Sequence, residues 1–529
     1  MESTRPSIFR LFCLILLILL MLPLNGALSE NVGTSITIGI QSTKTLTIRP
    51  FEPQERDILS VYNVLYESLI TIDDDYIPQG CIAESWEESS GGKVWTFHLR
   101  TDVRFSDGTP LTADDVIASA SYILDKARDE NITDHGFYSN LAYFVKKITA
   151  KDDHTVVVQA NSTNKNPRQY YGILYEMTFP IVPASQVTAD QPLGSGPYVI
   201  SQFISGDFMT LEANPNWWKT QPYVRQIMIS FHDTPRSVID SYEYNRVDAV
   251  FTRSIAVAQY KTGTLSVSMS YRTSQLECLF MNNSASELTP EVRRAIRYVI
   301  DRQKIITNVY SGLAVATNFP FYPGTWMYNE GLDSQFVVNL DEARNLLAQA
   351  GWEDSDDNGV LDRLTNEGET RNLSLRFYVY EEPDNDVRLE AANMIAEQLA
   401  QVGIACSVEA MTMANVHEKL KAGSFDLALI SFSMDVAPDP GFLLMRGNSG
   451  NYNRYKSDKM TDLCHSLRKE TTQEGYRQRL MEIQSLFAED CPFMCLYYRT
   501  GNVITRYMYT TCRDVREYEL LRGIESFSP

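Results

Sequence analysis

The 529-residue chain is 44% hydrophobic and 22% charged, with glycine and proline scattered and no short-period repeat, which excludes a disordered or fibrous protein. At roughly 150 residues per domain it requires about three folding units rather than a single core. Its formal net charge of -20 repels phosphate backbones and anionic lipid headgroups, so nucleic acid and an acidic membrane face are excluded as its main partners.

At the N-terminus, Arg5 and Arg10 precede an unbroken apolar run from Leu11 to Leu22, followed by Pro23, Asn25, Gly26 and the small-residue spacing Ala27-Leu28-Ser29. This pattern reads as a secretory signal peptide over residues 1–29, cleaved near Ser29. As a helix the run is roughly 18 Å long, against about 30 Å of bilayer core, so retention as an anchor is the weaker alternative. Cys13 lies inside the run. Seven cysteines follow it, an odd number for a disulfide framework, and Cys491 and Cys495 in "CPFMC" are the best candidate pair against a reading as buried apolar side chains.

"VWTFHLR" alternates Trp95, Phe97 and Leu99 with polar neighbours, predicting a half-buried antiparallel strand. "RFSDGTPLTADDV", residues 104–116, is dense in carboxylates, and each has a structural reading. Asp107-Gly108 is a turn, Thr112 a helix N-cap with Asp115 in the capping-box position, and Leu111 and Val116 the two halves of a hydrophobic staple. "LEANPNWWKTQPYV" reads as strand, turn and aromatic loop, where Trp217 and Trp218 either stack on a ligand or pack at a surface. "TPEVRRAIRYVIDRQKIITNVYSG" places Pro290 at a helix start and Gly312 near an end. "DSDDNGVLD" sets Asp354, Asp356, Asn358 and Asp362 at positions 1, 3, 5 and 9 of a calcium loop, with Gly359 at position 6. Position 12 is Thr365 instead of the bidentate glutamate, so a polar turn is the competing reading.

Farther on, Leu389, Ala392, Ile395, Ala396, Leu399 and Val402 recur at helical spacing, Gly403 ends the helix, and Ile404, Cys406 and Val408 alternate as a strand. "MANVHEKLKAG" is a second helix, and Phe425 to Phe432 is a nearly continuous apolar strand, as expected of a parallel strand covered on both faces. This is a β-α-β unit with a right-handed crossover. In open α/β sheets ligands bind beyond the carboxyl ends of the strands, which singles out Asp435, three residues past Phe432.

"AESWEESSGGKVWTFHLRTDVRFSDGTPLTADDV" resembles the signature of the family 5 extracellular solute-binding proteins, the peptide- and nickel-binding components of ABC importers. "LGSGPYVISQF", "ANPNWW", "LTPEVRRAIRYVIDRQKIITNVYSGLA", "LDEARNLLAQAGW" and "LKAGSFDLALISFSMDVAPDPGFL" follow in the family's order, from about residue 36 to about 520. The resemblance implies an α/β, two-lobed periplasmic-binding-protein-like fold with an extra domain inserted in the first lobe. Lobe I would comprise residues 30–75, 190–275 and 500–529, the extra domain 76–189, and lobe II 276–499. It implies a monomer that captures a small peptide by hinge closure and hands it to permease subunits of an ABC transporter; no cofactor is expected, apart from the structural calcium that the spacing of the acidic loop leaves open against a polar turn. By the same resemblance Asp435 would hold a peptide's α-amino group with the aromatic Phe432 beside it, and Trp218 is carried as a third ligand-binding candidate.

A secreted hydrolase is the competing class, and a ligand sensor or pheromone receptor on the same fold is a further one. The chain lacks G-x-S-x-G and H-E-x-x-H, and its six histidines show no ligand spacing. "GSGPY" at Gly194 sets a serine between glycines, but Pro197 points to a turn and not to a strand-to-helix elbow.

Overall fold

The computed structural model describes residues 35–42, 46–162, 170–262, 266–364, 368–382, 385–506 and 515–526. The signal-peptide segment, Cys512 and Thr365 lie outside the described residues. Among those described, no helix is long and apolar enough to cross a membrane.

Two long strands organise the molecule. Val267–Met281 forms one 15-residue strand and Phe493–Thr505 its 13-residue antiparallel partner. At about 3.4 Å per residue they run roughly 50 and 44 Å, more than twice an ordinary strand. At one end, Asn502–Thr505 pairs with Ala249–Thr252, and the sheet continues through Ser35–Gln41, Gln226–His232, Phe208–Ala213 and Tyr198–Ile204. At the other end, Gln275–Met281 pairs with Leu427–Ser433, followed by Ser374–Tyr380 and Ala405–Met411. One eleven-stranded sheet therefore runs through both halves. The register between the crossing strands shifts between Arg272 and Leu276 and again between Glu277 and Cys278. Such irregularities re-aim side chains and bend a ladder, and here they fall where the two halves meet.

The predicted β-α-β unit forms with one amendment. The helices Val387–Ala400 and Met413–Ala422 and the strands Ala405–Met411 and Leu427–Ser433 are present, and Gly423 ends its helix at φ 70°. The two strands do not pair with each other, however; Ser374–Tyr380 lies between them, parallel to both. Side chains alternate across a strand, so the far half of the sheet feeds two cores. Leu279, Phe377, Leu429 and Met494 enter one, while Cys278, Phe280, Tyr378 and Ile430 enter the other.

The place of Cys491 before the strand, as the left-handed cap of the helix Gln473–Asp490, corrects the cysteine pairing. Cys491 faces the first of these cores and lies within hydrogen-bonding distance of the Arg293 carbonyl at 3.5 Å, whereas Cys495 faces the other and sits in register with Cys278. The six described cysteines are free thiols.

Beside the large sheet, Ala83–Ser89, Val94–Leu99, Thr155–Ala160 and Val145–Asp152 make a four-stranded antiparallel sheet. Trp95, Phe97 and Leu99 point inward, as their alternation requires. Its helix Ala113–Arg128 begins at Thr112, whose backbone N–H donates to Asp115 at 2.9 Å, and Leu111 and Val116 are buried together. Asp107 accepts from the Thr109 N–H and hydroxyl, and Gly108 takes φ 90°. The carboxylates of "RFSDGTPLTADDV" thus close a turn and cap a helix. The segment after Pro290 is two helices, Pro290–Val299 and Arg302–Asn308, because Asp301 caps the second through the Lys304 N–H.

Candidate functional site

A cleft of about 740 Å³ opens where the crossing strands change register, within the size range of small-molecule sites. Its walls come from distant parts of the chain: the turn at Ile72–Tyr76, the segments 137–144 and 175–178, Arg272–Ser274, Pro320–Tyr322, the loop Ser433–Asp439, and the C-terminal return Arg516–Glu519. The lining is aromatic. Phe137 packs against Tyr518 with ring centroids 4.8 Å apart and rings tilted by 52°, and stays 47% exposed.

Tyr76 and Tyr518 both hold left-handed backbone, at φ 63° and 69°. Bulky side chains pay sterically for that conformation, which persists where the surroundings fix it. The Tyr76 carbonyl accepts from the Tyr175 hydroxyl at 2.8 Å and the Trp326 indole N–H at 3.1 Å, and so joins two walls. Across the cleft, the Tyr170 and Tyr171 N–H groups donate to the carbonyls of Arg468 and Glu470, both at 3.1 Å.

Asp435 lies in the loop that follows Leu427–Ser433, at the carboxyl end of that strand. Its carboxylate reaches cleft water and accepts from the Asn140 amide at 3.1 Å and the Ala437 N–H at 3.3 Å. Both donors are neutral, and no cation pairs with Asp435 among the described residues. Desolvation between the walls pushes its carboxyl above the ordinary aspartate value, against the hydrogen bonds from Ala437, Val436 and Asn140, which favour the charged form. Neighbouring Asp439 differs: it is paired with Arg468 at 2.8 Å.

Glu176 carries no sequence signal. It sits in the apolar 3-10 segment Gly172–Thr178, half-buried in the cleft wall. Desolvation first, and then the charge of Asp435, push its carboxyl well above the ordinary glutamate value. It has no hydrogen-bond or ion-pair partner among the described residues.

Arg272 projects from the register shift. Its guanidinium lies between the rings of Tyr322 at 5.1 Å and Tyr76 at 5.5 Å, and one nitrogen donates to the Asp74 carbonyl at 2.8 Å. The two aromatic contacts and the Asp74 carbonyl hold the guanidinium at the cleft wall. Among the described residues it has no carboxylate partner, whereas Arg516 is bound by both oxygens of Glu519 at 3.0 Å.

Two of the expected ligand contacts are corrected. Phe432 does not line the cleft; it packs behind the wall on Phe280 and Phe442, with centroids 5.4 and 5.9 Å away. Trp218 is also elsewhere. Its indole N–H donates to buried Glu67 at 2.7 Å, and its ring lies under Arg100 at 4.2 Å and Lys219 at 4.6 Å, so a local acid and two local cations occupy it. Trp217 donates to the same carboxylate at 3.1 Å.

In the acidic loop, carboxylate oxygens of Asp354, Asp356 and Asp362 come within 4.8 Å of one another. Asp354 accepts from the Asn358 and Gly359 N–H groups and Asp362 from Ser355, while the Asn358 oxygen accepts from the Val360 N–H. Ser195 of "GSGPY" is fully buried, its hydroxyl without a hydrogen-bond partner among the described residues. An added Cβ at Gly194 would lie 1.9 Å from the Leu65 carbonyl oxygen, so the glycines serve close backbone packing.

The family model described as bacterial extracellular solute-binding proteins, family 5 Middle, matches residues 78–454. The oligopeptide-binding protein AppA of Bacillus subtilis is 23% identical over 98% of this chain and 99% of its own. Its structure in complex with a nonapeptide superposes with a TM-score of 0.65 at 20% identity, covering 94% of this chain and 99% of that one. A nickel ABC transporter structure from Bacillus halodurans gives a TM-score of 0.77 at 19% identity, over 92% and 98% of the two chains.

Proposed function

The chain belongs to family 5 of the bacterial extracellular solute-binding proteins, and from that membership we propose that its solute is a short peptide, held in the cleft and delivered to the permease of an ABC importer. The observation that carries the reading is Asp435: a carboxylate inside the cleft at the end of a sheet strand, bonded among the described residues to neutral donors alone. An ammonium group supplies what is missing there, and a peptide's amino terminus is one. Arg272, held beside two tyrosines and without a carboxylate partner among the described residues, takes the peptide's carboxyl group. The exposed aromatic faces of the cleft suit side chains of varied kind.

The crossing strands serve as the hinge. The two walls approach each other around the ligand, and a ligand that touches both stabilises the closed state by its differential affinity. The apolar run Leu11–Leu22 acts as the export signal, with cleavage near Ser29.

Thermal shifts with a panel of di- and oligopeptides, on the parent and on Asp435→Asn, test the reading. Binding peptides raise the melting temperature of the parent, and the variant binds them roughly thirty-fold or more weakly. An undiminished shift in the variant contradicts the assignment of Asp435.

A further inference from the structure

Accepting a peptide as the ligand, the charges of the cleft specify which peptides. Asp439 is neutralised by Arg468 and Arg516 by Glu519, while Glu517 is paired with Arg56 at 2.6 Å and Arg253 at 3.1 Å. Among the described lining residues, the groups left without an opposite charge are the carboxyls of Asp435 and Glu176 and the guanidinium of Arg272, two negative and one positive when both carboxyls are ionised. A peptide with free ends and neutral side chains brings one ammonium and one carboxylate, which leaves a carboxylate of the cleft unmatched.

Glu176 and Asp435 line the same cleft, and the segments that carry them are tied together. Its segment is tied through the Tyr170 N–H to the carbonyl of Arg468, and the side chain of that arginine grips Asp439 in the loop that carries Asp435. Tyr175, next in sequence, is anchored by its hydroxyl to the Tyr76 carbonyl. The backbone that carries Glu176 is therefore fixed to both sides of the cleft. Two carboxylates lining one cleft repel, and a half-buried carboxylate with no partner among the described residues is unfavourable. A second cation in the ligand relieves both.

We infer that Glu176 is a specificity-determining residue that receives a basic side chain, so that the preferred solutes are short peptides carrying a lysine or arginine in addition to the free amino terminus. This rests on the peptide reading of the cleft. The competing role for Glu176, a protonated carboxyl donating to a ligand carbonyl, is blind to ligand charge and gives a different result in the same experiment.

Calorimetric titration of trialanine and of its variants with lysine, or with the uncharged near-isostere norleucine, at each position separates the outcomes. In the parent, lysine at one position binds about tenfold or more tightly than norleucine there. In Glu176→Gln that preference collapses while trialanine still binds. Equal affinities for lysine and norleucine at every position in the parent overturn the inference, as does a lysine preference undiminished in Glu176→Gln. Binding of none of these peptides overturns the peptide reading itself, and the inference with it.

Discussion

On one crossing strand, Arg272 and Glu277 stand beside the same register shifts and belong to opposite kinds of charge cluster. Glu277 is fully buried, bound by both terminal nitrogens of Arg388, with Arg499 at 4.0 Å; Arg388 and Arg499 also hold Glu382, at 2.8 and 2.7 Å. Every carboxylate there meets a guanidinium. In the cleft, among the described residues, Arg272 has aromatic rings and a carbonyl but no carboxylate, and Asp435 and Glu176 have no cation. The fold evidently can neutralise charge at this place, so the unmatched groups mark where it expects charge from outside. Desolvation acts on both clusters. It raises the carboxyls of Glu176 and Asp435, whereas in Glu382 the hydrogen bonds of Arg499 and the charge of Arg388 outweigh it and hold the carboxyl low.

The largest expected effect comes from breaking the paired cluster. Arg388→Met keeps the volume and removes the cation, leaving Glu277 buried with the neutral Gln275 amide at 3.4 Å and Arg499 at 4.0 Å; the loss is about 3 to 5 kcal/mol, read from urea denaturation. Peptide affinity in the surviving folded protein changes far less, since Arg388 does not line the cleft. A variant as stable as the parent would show that the two clusters are not different in kind.

A smaller effect of opposite sign sharpens the contrast. A carboxyl raised in the folded state binds more protons there than in the unfolded chain; its contribution is present below the unfolded value and lost as pH rises through the folded one. Glu176→Gln therefore stabilises the ligand-free protein at neutral pH, and the difference from the parent fades as the pH drops below the ordinary glutamate value. Glu382 is lowered, so its contribution is present above the unfolded value and lost as pH falls through the folded one. Glu382→Gln accordingly destabilises at neutral pH. Melting curves of the two variants between pH 3 and pH 8 check the signs, and like signs would erase the distinction drawn between paired and unpaired carboxylates.

The smallest effect belongs to Thr112→Ala, which removes one N-cap from the helix Ala113–Arg128. It costs about 1 kcal/mol in thermal denaturation and leaves peptide binding unchanged.

Thr112 also shows which features the sequence makes legible. The turn, cap and staple of "RFSDGTPLTADDV" depend on neighbours within a few positions, as do the helix stops at Gly403 and Gly423, and these are read correctly from local pattern. Asp435 follows from its place after an apolar strand. Ser374–Tyr380, which separates the strands of the β-α-β unit, is invisible to local reasoning because strand order is set by packing. Glu176 lies in an apolar stretch and Arg272 in an ordinary strand, and only the fold brings them, with the C-terminal return, to one cleft. Trp218 misleads for the complementary reason: Glu67, far away in sequence, has already taken its N–H.

The most direct test is the identity of what the cleft retains. Protein stripped of ligand by unfolding and refolding is incubated with a mixed pool of short peptides, desalted, and its bound fraction released and sequenced by mass spectrometry. The account predicts retained peptides that are short, have free amino termini, and are enriched in lysine or arginine relative to the pool. A retained fraction with the composition of the pool, or no retained peptide, would contradict it.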